Sequence, residues 1–222
     1  MTPRRVTAWA AIAGILLLSA AMVTQLRPFW WDTHRVPHSI EAFERHRSLL
    51  MGGAWARIAL LFPMVTLGIA LPRLLDDDSL RVQLGRALAV ISGGLSAVSG
   101  AVAVAIGVTA EEFALLDESS RAMAVAADSL YWVQDNLLTL SLIAFSAGLV
   151  AFASPLWRAR ALPGWGRIAA QASIVLAAAI PLTFYVEASD LGPAAYAAVA
   201  FAAQASILLC FGALARPQMW RR

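Results

Sequence analysis

The sequence predicts an all-α, polytopic membrane protein with six transmembrane helices in one bundle and both termini cytoplasmic. Three observations carry that expectation. The chain is 60% hydrophobic and 14% charged, against roughly 45–50% and about 25% in soluble domains. Six apolar stretches reach the roughly 20 residues a helix needs to cross about 30 Å of hydrocarbon. The arginines divide unequally between alternate connections, which orients such a chain. Packed as a soluble core, this apolar content would leave large exposed patches, so an ordinary cytosolic enzyme and a disordered tail are both excluded.

The stretches fall near 7–26, 49–72, 86–108, 129–154, 167–187 and 193–215. They form a single domain over residues 1–222, with one long outer loop at 27–48. The first stretch follows Arg4 and Arg5 and runs on past Ser19, Ala20 and Ala21 into Met22 and Val23, so it reads as an uncleaved signal anchor. The second and fifth contain Pro63 and Pro181, which predict kinks and freed carbonyls. The third begins after Asp78 and Ser79, either of which can cap it. Its stripe Gly93, Ala97, Gly100, Val104, Gly107 suits close helix packing.

All seventeen basic residues other than histidine are arginine. Eleven of them, Arg4, Arg5, Arg73, Arg81, Arg86, Arg158, Arg160, Arg167, Arg216, Arg221 and Arg222, fall on one side of the six-span layout. Five, Arg27, Arg35, Arg45, Arg47 and Arg121, fall on the other, and Arg57 lies within a span. The richer side is expected to be cytoplasmic, which points to a multi-pass protein of a bacterial inner membrane. The basic balance therefore concerns topology and excludes a nucleic-acid reader. Trp30, Trp31, Tyr131, Trp132 and Tyr185 mark the outer boundary, and Trp9, Trp157, Trp165 and Trp220 the inner one. An inverted repeat of the two halves finds no common pattern to support it.

Ionisable groups within spans are costly and rare. Arg57 and Asp135 both lie about 9–12 Å below the outer surface at 1.5 Å per residue, so they can pair. Asp135 belongs to a stripe of Asp128, Tyr131, Asp135, Thr139 and Ser146, flanked by Gln134 and Asn136. Two readings stand side by side. In one, Arg57 anchors a ligand in an outward-facing polar cavity with Asp135 as its partner or proton acceptor, Glu187 at the rim and Tyr131, Trp132 and Trp55 as walls. In the other, the same pair is a structural ion pair within the bundle.

The three histidines, His34, His38 and His46, share the outer loop with Asp32, Glu41 and Glu44. They offer zinc or another divalent metal a set of ligands, although Pro37 interrupts the helical spacing and His38 and His46 would stand about 12 Å apart on one helix. The alternative is a short amphipathic interfacial helix from Ser39, with Ile40 and Phe43 on its apolar side. Cys210 is the single cysteine, which excludes an intrachain disulfide. The G-x-S-x-G, H-E-x-x-H, C-x-x-C-H and Walker patterns are absent, and a chain without lysine forms no retinal Schiff base.

After the basic pair Arg158 and Arg160, the residues Leu162, Pro163, Gly164 and Trp165 form an L-P-x-W turn. With the basic start, the long first outer loop and six spans, this layout resembles the bacterial membrane family catalogued as domain of unknown function 4386. The resemblance implies a cytoplasmic connection at that turn and brings no activity. The arginine-only composition and the loop Trp30, Trp31, Asp32, Thr33, His34 depart from the family pattern.

The function expected is that of a non-catalytic integral membrane protein, a transporter or sensor, binding a small molecule, a lipid or a partner through its outer half. One alternative is an accessory subunit of a larger membrane complex or a homo-oligomer, packed through the small-residue face of the third span. The other is a metal-assisted membrane enzyme using the loop histidines.

Overall fold

The computed structural model describes residues 3–31, 39–75, 77–113, 121–158 and 164–183, together with helical positions at 198, 202, 205, 206 and 209. Among them there is no strand, and six helices follow one another: α1 (Pro3–Trp31), α2 (Ser39–Ala59), α3 (Leu61–Leu75), α4 (Leu80–Phe113), α5 (Arg121–Arg158) and α6 (Gly164–Thr183). Pro3 opens α1, where its missing N–H breaks no helical bond. Among the described residues three stretches are long and apolar enough to cross a membrane: His46–Ala70, Leu80–Val108 and Trp132–Phe152. Most of the stretch at 193–215 lies outside the described residues.

The surface agrees with a membrane environment. Leu16, Phe62, Ile91, Leu140, Val150 and Val175 are exposed, while alanine, serine and glycine fill much of the interior. In water that distribution would be inverted; in lipid, large apolar groups belong outside and small residues let helices approach. On α1 the buried stripe Thr7, Ala11, Gly14, Leu18, Ala21 keeps a spacing of three and four residues, with Trp9, Ile12 and Leu16 on the opposite side.

The second apolar stretch, long enough to cross as one, is built in two pieces. Leu60 forms a turn between α2 and α3. The cause is Pro63, which has no N–H to give the Ala59 carbonyl four residues back. Helical bonds resume on either side, from Leu60 N to Ala56 O at 3.0 Å and from Met64 N to Leu60 O at 3.2 Å. A second departure lies upstream, where His46 leaves the helical region at φ −126°, ψ 26° and bends α2. Pro181 falls in the last turn of α6, which ends at Thr183.

The hub is α4, which packs on α2, α3 and α5; α1 lies against α2 and α3, and α6 against α5. Its glycines set the distance. A Cβ on Gly100 would stand 2.6 Å from the Ala54 carbonyl oxygen, and one on Gly93 would stand 3.0 Å from Met64 Cβ. The pairs 100 with 54, 93 with 64 and 68 with 86 and 90 run in opposite directions, so α2 and α3 are antiparallel to α4. On the other side Gly85 faces the Phe152 ring, Gly148 faces Leu88, and Ser92 bonds Ser141, so α5 is antiparallel to α4 as well. Gly93 and Gly100 of the small-residue stripe are thus taken up by α3 and α2 of the same chain.

Ser79 stands at the N-cap position of α4, its carbonyl accepting the Gln83 N–H at 3.0 Å. Asp77 Oδ1 accepts the Ser79 N–H at 2.8 Å, and Gln83 Nε2 donates to the Asp78 carbonyl at 3.0 Å. Asp77 orders the turn ahead of the helix, and the hydrogen bonds it accepts from the Ser79 N–H and hydroxyl hold its carboxyl below the usual range, with Arg158 adding a smaller pull.

Candidate functional site

Arg57 is the deepest charged residue whose side chain is described, at 4% exposure. The close approach of α2 and α4 at Gly100 brings its side chain beside α4. There Arg57 Nη1 donates to Ser99 Oγ at 3.2 Å, and Ser99 Oγ donates in turn to the Gln134 carbonyl of α5 at 3.0 Å. A serine hydroxyl has one proton, so the direction of this relay is fixed: guanidinium to hydroxyl to backbone carbonyl. Three helices are joined at one level. Ser99 lies nine residues before Val108, the end of its apolar stretch, which places the junction about 14 Å from that end.

Gln134 is 92% buried by its 8% exposure, and its Oε1 has no hydrogen-bond partner among the described residues. A buried acceptor left unmet costs about 1–3 kcal/mol, more in hydrocarbon than at a wet surface. It calls for a donor, and the group that meets it is a hydroxyl, an N–H or a water.

The expected site residues distribute unevenly around this junction. Asp135 follows Gln134 directly, so its backbone stands at the level of Arg57; its side chain, like that of Tyr131, lies outside the described residues. Glu187 lies outside them altogether. Trp55 and Trp132 are 57% and 65% exposed and point out of the bundle, so they do not wall the space around Arg57. Alternation explains this for Trp55, because Ala54 and Arg57 turn the opposite face of α2 toward α4. The inward face of α5 runs through Gln134, Ser141, Phe145, Ser146, Gly148 and Phe152, and of the polar stripe read in the sequence it takes in Ser146, with Thr139 half-buried.

His34 and His38 lie outside the described residues, and His46 sits half-buried at the bend of α2. Among the described residues no three histidine, cysteine or carboxylate side chains gather as a metal would require. Of the L-P-x-W turn, Gly164 and Trp165 open α6, while Leu162 and Pro163 lie outside the described residues.

Sequence reasoning missed the serines. Ser92, Ser96 and Ser99 are buried along α4 at spacings of four and three. Ser141 Oγ donates to the Ser92 carbonyl at 2.8 Å, and the two hydroxyls lie 3.1 Å apart. The signal was their helical period beside the glycines, which marks a single face. No protein family, curated protein or solved structure gives a significant match to this chain.

Proposed function

We propose that this chain is a non-catalytic multi-pass protein of a bacterial inner membrane, with six spans and cytoplasmic termini. It binds a small polar or amphiphilic molecule at the junction of α2, α4 and α5, as a transporter or sensor does. The observation that carries the reading is the unmet Gln134 Oε1 at the level of the buried Arg57. A cation and an orphaned acceptor at one depth suit a ligand that offers a hydrogen-bond donor beside an electron-rich group. Asp135, adjacent in sequence, supplies a proton acceptor in the transport form of this reading. The arginine asymmetry supports the orientation, and the six apolar stretches support the number of crossings. Kinship with the family named above is part of the same proposal and adds no activity to it.

Gln134→Leu tests it. The variant removes the orphaned acceptor at similar volume. The ligand-free protein is expected to gain or keep stability, while the small-molecule adduct seen by native mass spectrometry after gentle extraction is lost. A destabilised Gln134→Leu protein would show that a structural donor already serves Oε1. An adduct retained by a well-folded variant would place the ligand elsewhere.

A further inference from the structure

At the opposite, arginine-rich end, α3 and α4 leave an open groove of about 570 Å³ lined by Pro72, Asp78, Gln83, Arg86, Val90 and Ile91. We propose that this groove is a binding site for an anionic phospholipid, with its phosphate on Arg86 and an acyl chain along Val90 and Ile91. The site is separate from the junction at Arg57 and does not depend on it.

The lining changes character along its length. Gln83, Arg86 and Val90 follow one another at spacings of three and four residues, so they share one face of α4. The face is polar toward the helix start and apolar beyond Arg86, which is the profile of a phospholipid read from headgroup to chain. The depth agrees. The apolar stretch Leu80–Val108 has 29 residues, about 43 Å of helix, and so overhangs a 30 Å hydrocarbon core by roughly 6–7 Å at each end. Arg86, six residues from Leu80, has its backbone about 9 Å in, just within the hydrocarbon edge.

Its side chain resolves that position by lying along α3. A Cβ on Gly68 would stand 3.6 Å from Arg86 Cγ and 3.2 Å from Val90 Cγ2, so the arginine stem rests in the hollow that Gly68 leaves. From there the guanidinium reaches the phosphate level, as long cationic side chains do. The residue is exposed, and no ion pair or hydrogen bond engages its guanidinium among the described residues. Pro72, inside α3, has no N–H for the Gly68 carbonyl one turn back.

Among the described residues the charges around the mouth favour an anion, with three arginines against two aspartates. Arg73 and Arg81 are exposed at the same end. Against them stand Asp77, which is turned to Ser79 and feels Arg158, and Asp78, which precedes the helix and so lies outward of Arg86.

The test is native mass spectrometry of the full chain in detergent, with phosphatidylglycerol and phosphatidylcholine of identical chains supplied in equal amounts. Wild-type protein is expected to retain phosphatidylglycerol over phosphatidylcholine by about fivefold, the preference one arginine confers at an anionic surface. Arg86→Gln is expected to abolish the preference, and Arg167→Gln, which removes an exposed arginine from another helix, to keep it. An excess of inorganic phosphate is expected to leave the lipid bound. Equal retention of the two lipids by the wild type overturns the proposal whatever the variants do. So does a preference that survives Arg86→Gln, or one that falls equally in Arg167→Gln, which would assign it to diffuse charge. Displacement by phosphate would show a soluble anion to be the occupant.

Discussion

Replacing Gly100 by alanine sets a methyl group against backbone. The new Cβ would meet the Ala54 carbonyl oxygen at 2.6 Å, Ile58 Cγ1 at 3.0 Å and Arg57 Cβ at 3.1 Å. A side-chain tip can swing aside, but a helix carbonyl moves only with its helix. To restore a contact of about 3.3 Å, α2 and α4 must part by about 0.7 Å, and such overpacking costs about 1–3 kcal/mol. The same displacement would stretch the Arg57 to Ser99 bond from 3.2 Å toward about 3.9 Å, past the limit of a hydrogen bond. Gly94, on the same helix, has nothing within 4 Å of its would-be Cβ. Both substitutions gain the same helix propensity, about 1 kcal/mol, so the difference between the two variants isolates the clash. Unfolding in mixed detergent, followed by tryptophan fluorescence, should place Gly100→Ala below Gly94→Ala by about 1–3 kcal/mol. Equal stabilities would refute the packing of α2 on α4 described above.

Two further outcomes are expected. The paired serines of α4 and α5 should show a coupling of about 0.6 kcal/mol, and at most about 1.7, in a Ser92→Ala and Ser141→Ala double-mutant cycle in detergent; purely additive losses would mean that the hydroxyls do not interact. Asp77 has a folded-state pKa below 3.8, so its contribution is present above that value and lost as pH falls through the lower one. The stability difference between wild type and Asp77→Asn should therefore shrink between about pH 5 and about pH 2, and a difference constant over that range would refute the role given to its carboxylate.

The helical, apolar character was legible because 3.6-residue periodicity and span length are local properties of the chain. The break at Leu60 was legible for the same reason, since a missing N–H at Pro63 acts four residues away. Arg57 stood out because charge within an apolar run is rare. Its partner Ser99 did not, because a serine in such a run can as easily bond its own helix, as Thr66 does to the Phe62 carbonyl. Which helix a hydroxyl reaches is decided by crossing geometry, and that depends on glycines distant in sequence. Trp55 and Trp132 illustrate the converse. Their chemistry suits a cavity wall or a lipid interface equally, and about half a turn of rotation of α2 or α5 about its axis decides between the two.

The turn at Leu60 has a mechanical consequence. A continuous helix is a strut that carries axial thrust from one end to the other, whereas a jointed one yields at the joint. The upper segment is pinned to α4 at Gly100 and the lower one at Gly93 and Gly68. A shift of Arg57 would therefore be taken up at Leu60 along its own chain, and the uninterrupted α4, which Arg57 touches through Ser99, would be the stiffer path for it.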